Sequence, residues 1–188
     1  MDAMVAETAT RVLGKGDDPA ALWAALEETG LAAAATPEAM GGAGFGAEEV
    51  YGLMRLSGTH AAPVPLAETL LAARLLAAVG VEPSAGRVTL AAGGTIRDGR
   101  VTAELRAVPW GRAADRLLLL AEGETGPVLA LPPLSEARAT EAGRVGEDAP
   151  ADLAFDAAPP EAAAPAPNWL TPLAFRAEVA LARAAQMA

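Results

Sequence analysis

The chain has 188 residues, 52% of them hydrophobic and 20% charged, and carries a formal net charge of −10 with no cysteine. It is long enough to bury a core in one large domain or two small ones, and too apolar to stay disordered. Disulfides, thiol nucleophiles and thiolate metal sites are excluded, and so acidic a chain is a poor partner for nucleic acid. Alanine supplies much of the apolar content and buries little area, so Leu, Val and the few aromatics must anchor the packing. Met1 to Glu7 shows neither a basic n-region nor an apolar h-region. The most apolar stretch, Ala61 to Val81, contains Pro63, Pro65, Glu68 and Arg74, which fits a buried helix rather than a membrane span. A soluble, cytoplasmic protein without membrane or metal association is expected.

The first third reads as helix. Asp18-Pro19 supplies an N-cap carboxylate and a proline at the first helical position; Leu22, Trp23 and Leu26 form an apolar stripe, and Gly30 ends the segment. Residues 36–46 form a glycine-rich loop. A second helix is expected from about Ala47 to Thr59. A third is expected from Pro65 to Val79, apolar almost all round and therefore buried on most sides. The periodicity changes after Gly80. Residues 87–90 read as a strand, Asp98-Gly99 as a hairpin turn, and residues 100–107 alternate as a half-buried strand. Leu117 to Ala121 is a continuous apolar run, the pattern of a strand covered on both faces. Residues 128–131 and 153–155 add two more strands.

Residues 157–167 read as a Pro/Ala linker of poor packing potential. Beyond Asn168 helix returns, with Leu173, Val179 and Leu181 as the larger apolar residues. Nothing in the sequence stops that helix before Ala188, so it is expected to lean its Leu173, Val179 and Leu181 side on residues outside 1–188. The fold class is therefore α+β: an N-terminal helical unit (1–82), a small antiparallel β-barrel or sheet (83–158), a linker (159–167), and the first helix of a C-terminal bundle (168–188).

Several segments carry a resemblance. They are Leu22-Trp23 through Thr29-Gly30-Leu31, the loop Thr36-Pro37-Glu38-Ala39-Met40-Gly41-Gly42-Ala43-Gly44, the stretch His60 to Thr69, and Ala114-Asp115-Arg116-Leu117-Leu118. In this order and spacing they resemble the helical N-terminal and β middle domains of the acyl-CoA dehydrogenases. The resemblance implies FAD, an acyl-CoA thioester, and α,β-dehydrogenation of the acyl group, as in fatty acid or steroid catabolism. In that family the base comes from the C-terminal helical domain, so no catalytic residue is assigned in this chain. By the same resemblance Gly41, Gly42 and Phe45 border the acyl pocket by shape, and Trp110 stacks near the flavin.

The middle domain also departs from the family. Ala91-Ala92-Gly93-Gly94 leads straight to Thr95 where the family carries a flavin-lining stretch. Ala107-Val108-Pro109-Trp110 replaces a flavin-contacting segment, with proline, which has no N–H, where a hydroxyl donor would sit. The isolated chain is therefore expected not to hold FAD tightly. Two readings follow. One is an acyl-CoA dehydrogenase-like flavoprotein acting as a homo-oligomer or a hetero-oligomer. The other is a non-catalytic subunit completing the acyl-CoA site of a flavin-bearing partner.

The remaining polar features read as structural. The glycine cluster lacks the spacing of a dinucleotide motif, and Glu48 and Glu49 at the next helix start repel phosphate. His60, with no catalytic group near it in sequence, is expected to cap a helix or lie at the surface. Phe45 and Trp110 each have plain packing as the alternative to a ligand contact. Glu27-Glu28 and Glu48-Glu49 are neighbours that diverge on a helix, hence solvated faces rather than acid/base pairs.

Overall fold

A computed structural model describes residues 2–14, 16, 18–83, 85–142 and 150–187. Its first two helices start where an aspartate supplies the N-cap acceptor. α1 (Ala3–Leu13) begins at Asp2, whose carboxylate accepts from the Met4 amide at 2.9 Å. α2 (Pro19–Glu28) begins at Asp18, which accepts from the Ala20 amide at 3.0 Å, and Gly30 follows it in the left-handed region. α3 (Ala47–Thr59) keeps the expected bounds, with His60 as its C-cap. α4 (Leu66–Ala78) is buried on nearly every side, as its unbroken apolar sequence requires.

After α4 comes one seven-stranded sheet: β1 (Val88–Arg97), β2 (Arg100–Val108), β3 (Arg116–Glu122), β4 (Pro127–Ala130), β5 (Arg138–Glu141), β6 (Ala151–Ala158) and β7 (Ala163–Pro165). Its spatial order is β5-β6-β2-β1-β3-β4-β7. Asp98 (φ 49°) and Gly99 (φ 70°) make the β1–β2 turn in the left-handed region that a two-residue hairpin loop demands. β3 explains its own composition. Leu118 and Leu120 join the core beneath the helices, while Leu117, Leu119 and Ala121 join a second core on the opposite face with Val101, Leu105 and Phe155.

The α+β class stands, but the sheet differs from the expected antiparallel barrel. β1 pairs with β3 in parallel, and β5 and β7 remain as separate edges, so the sheet is mixed and open. The β1–β2 hairpin uses one side of β1, and the chain then crosses through residues 109–115 to lay β3 along the other. Residues 163–165, expected in the linker, add β7 to the β4 edge. Pro165 is tolerated there because an edge strand leaves one row of N–H positions unpaired.

α5 (Pro172–Met187) is the expected terminal helix and corrects one part of the expectation, since Val179 packs inside the chain while Leu173 and Leu181 stay outward; Ala188 lies outside the described residues. The helix packs within the chain, on α3 and α4. Its buried residues are Phe175 and Ala182, with Val179 and Ala185 packed beside them, whereas Leu173 is 78% and Leu181 52% exposed. The small residues decide this. A Cβ at Gly58 would overlap the Gln186 carbonyl, so only glycine lets the α3 and α5 backbones approach this closely. α5 therefore has two apolar stripes. One is spent on α3 and α4; the other, Leu173, Ala177, Ala180, Leu181, Ala184 and Met187, faces outward.

Candidate functional site

An open cleft of about 400 Å³ lies between the β1–β2 pair and α5. Leu90, Ala92, Leu105, Val108, Phe175 and Val179 give it apolar walls. Its shape comes from two backbone irregularities. The β1–β3 register shifts between Ala92 and Thr95, where Gly93 (φ 143°) and Gly94 (φ 70°) form a bulge. A side chain at Gly94 would meet the Ala103 Cα at 3.0 Å, so the bulge also needs glycine for space. Across the cleft β2 slips register between Leu105 and Val108, and Ala107 (φ 49°) and Trp110 (φ 57°) both occupy the left-handed region. Two such residues so close together are a concentration of backbone strain at a cleft wall.

Internal bonds hold that strained wall. The Ala107 amide donates to Asp152 Oδ1 at 2.8 Å, and Arg106 Nη1 donates to Asp152 Oδ2 at 2.7 Å. These bonds, the Ala107 amide first, hold the Asp152 carboxyl below its usual range. Thr89 Oγ1 donates to the Pro109 carbonyl at 2.6 Å, and the Ala113 and Ala114 amides donate to the Trp110 carbonyl.

Beneath the cleft sits a buried carboxylate. Glu68 on α4 is 2% exposed, and Arg183 Nε approaches its Oε1 at 3.7 Å. Burial pushes the Glu68 carboxyl above the ordinary range, and the opposing pull of its own backbone amide, Arg183 and Trp110 does not cancel it. Its Oε2 has no hydrogen-bond partner among the described residues. Arg183 lines the cleft itself, together with Arg106, Arg176 and Glu104.

The residues singled out in the sequence do not converge on this cleft. Trp110 is buried beside Glu68, behind the wall that Pro109 contributes. Gly41 lies on the rim of a separate cavity of about 270 Å³, lined by Thr36, Met40, Ala72, Ala73 and Leu76 among others. Gly42 is pressed against Thr36, and Phe45 packs half-buried on the helical core. His60 is half-buried at the α3 C-cap, its amide donating to the Leu56 carbonyl. Sequence reasoning missed Glu68 and Arg183. The available signal was a carboxylate inside a helix apolar all round, because such a group is rarely buried without a cation. Among the described residues no group of three or more metal-ligating side chains occurs, and no helix is long and apolar enough to cross a membrane.

No family model matches the chain, and no curated protein matches it. Solved structures do. A variant of the Tcur3481-Tcur3483 steroid ACAD is similar at 26% identity and TM-score 0.70, covering 97% of this chain and 60% of that one. The ChsE4-ChsE5 complex from Mycobacterium tuberculosis is similar at 22% identity and TM-score 0.72, covering 97% and 61%. TdsC from Paenibacillus sp. A11-2, solved with FMN and indole, is similar at 16% identity and TM-score 0.69, covering 89% and 55%. The chain thus spans about 60% of the length of the first two structures it matches.

Proposed function

Taking its acyl-CoA dehydrogenase-like fold as the premise, we propose that this chain is a subunit of an acyl-CoA dehydrogenase-type oxidoreductase. In this reading it lends the walls of an acyl-CoA site to a flavin-bearing partner. The cleft between β1–β2 and α5 carries the reading: it is apolar-walled, open at one side and rimmed with arginines, which suits an acyl chain attached to an anionic carrier. When bound, the flavin supplies the hydride acceptor for α,β-dehydrogenation.

The residues of this chain do not fit that flavin's polar ring edge. The Ala107 N–H is already donated to Asp152, Pro109 has none, and the Pro109 carbonyl is taken by Thr89. No redox step is therefore assigned to this chain; its contribution is to bind and orient the acyl group and keep water from its apolar walls. The neighbours described as a steroid ACAD and as the ChsE4-ChsE5 complex support a heteromeric assembly. The outward stripe of α5 is the apolar surface such a partner would cover. The other reading, that this chain is itself the flavoprotein, is favoured by similarity to TdsC solved with FMN.

The purified full chain distinguishes them. The proposal expects no stoichiometric visible flavin absorbance, together with calorimetric binding of decanoyl-CoA that Ala180→Trp, at the exposed cleft rim, abolishes. Stoichiometric flavin, or decanoyl-CoA binding indifferent to Ala180→Trp, contradicts it.

A further inference from the structure

We propose that Arg183 is the point at which the cleft recognises an anionic group on an otherwise apolar ligand, and that buried Glu68 positions it. The inference rests on the reading of the cleft as a ligand site and adds what part of the ligand it selects.

Arg183 belongs both to the cleft lining and to the buried ion pair, its side chain 38% exposed and Glu68's 3%. A pair whose whole purpose was to fasten α5 to α4 would close into a hydrogen-bonded fork, the strong geometry for guanidinium and carboxylate. This pair does not: its nearest approach is 3.7 Å, Glu68 Oε2 is unpartnered, and the Arg183 guanidinium makes no hydrogen bond among the described residues. Its N–H donors therefore remain available at the cleft wall, while the negative charge behind confines the planar group to that place. The lining carries three arginines, Arg106, Arg176 and Arg183, and the carboxylate Glu104; with Asp152 beside Arg106 and Glu68 behind Arg183 the charges nearly balance, so what the site offers an anion is guanidinium donors rather than excess charge. Arg106 is engaged with Asp152 and Arg176 has no ion pair among the described residues, so Arg183 is the lining guanidinium that is both held in place and able to donate to a new acceptor. Apolar walls with one tethered guanidinium suit a ligand with a hydrocarbon body and a carboxylate or phosphate oxygen. A carboxylate would come from the acyl part and a phosphate from the nucleotide part.

Calorimetry on the full chain with decanoate, decan-1-ol and free coenzyme A tests this. Decanoate is expected to bind about tenfold more tightly than decan-1-ol, the factor a charge-assisted hydrogen bond supplies. Arg183→Met should level the two, and Arg183→Lys should restore part of the difference. Glu68→Gln should shrink the preference several-fold while leaving decan-1-ol affinity unchanged, which loss of a merely structural contact would not do. If Arg183→Met instead weakens coenzyme A and spares decanoate, the recognised anion is the phosphate. The inference is overturned, with the cleft reading intact, if Ala180→Trp abolishes decan-1-ol binding while Arg183→Met changes none of the affinities. An effect of Arg183→Met without one of Glu68→Gln removes Glu68 from the account. Binding of none of the probes overturns both the inference and the reading beneath it.

Discussion

Gly58→Ala puts the smallest side chain where α3 and α5 touch, and two effects of opposite sign compete there. In an unencumbered helix interior the change would stabilise the protein by about 1 kcal/mol, the propensity gap between glycine and alanine. Here the added Cβ would overlap the Gln186 carbonyl and lie 2.8 Å from its Cα, inside the 3.0 Å limit that real Cβ atoms respect. The obstacle is backbone, so α5 must move. Lifting only its last turn loses the bond from Gln186 Nε2 to Ser57 Oγ, roughly 1 kcal/mol, and the packing of Ala182 and Ala185. Lifting the whole helix also exposes Phe175, now 1% exposed, for about 2–3 kcal/mol more. The propensity gain is offset in the first case and overwhelmed in the second. Denaturant unfolding should show no stabilisation, and hydrogen exchange should show faster exchange over residues 182–187 at least. A gain near 1 kcal/mol with unchanged protection of α5 would refute the docking described here.

Glu68 sets a pH dependence. Because burial raises its folded-state pKa, the folded chain binds the proton more readily than the unfolded one, and stability falls as pH rises from the ordinary carboxylate value through the raised one. Glu68→Gln should flatten that slope in pH-resolved denaturation; an identical slope removes the cause. Asp115 runs the other way. Burial would raise its pKa, but the Arg87 hydrogen bonds and charge lower it overall, so its contribution holds above the ordinary carboxylate range and is lost as pH falls through the lowered value. With both side chains partly exposed, Asp115→Asn should cost only about 1 kcal/mol at neutral pH and nothing in acid; a cost persisting in acid contradicts this. On α5, Leu173→Glu combined with Leu181→Glu should leave unfolding within about 0.5 kcal/mol of the parent, because both positions are exposed, yet weaken association with the flavin-bearing partner, read by light scattering of the mixed chains. Unchanged assembly would mean that stripe has no partner.

The elements legible in the sequence were those with local causes. Asp18-Pro19 and Gly30 bracket α2, Asp98-Gly99 makes its hairpin, and Leu117 to Ala121 divides its side chains between two cores. What stayed hidden depended on pairing between distant segments. Nothing local distinguishes a parallel β1–β3 partner from an antiparallel one, and Ala163–Pro165 has no strand signal until the β4 edge is beside it. On α5 the large Leu173 and Leu181 marked only the outward side, whereas the docked face depends on Gly58 and Ala182 being small, which leaves no apolar signal in the sequence. The cleft needed both kinds of information. The Gly93-Gly94 and Pro109 irregularities were visible as departures in sequence, but Glu68 and Arg183 meet only once α4 and α5 are packed.

Whether ligand enters between β1–β2 and α5 is best decided by hydrogen exchange on the full chain with and without decanoyl-CoA. The account predicts slowed exchange at residues 90–93, 104–109 and 175–183, abolished by Ala180→Trp. Protection centred instead on Thr36, Met40 and Gly41 around the second cavity, or absent from both, would contradict it.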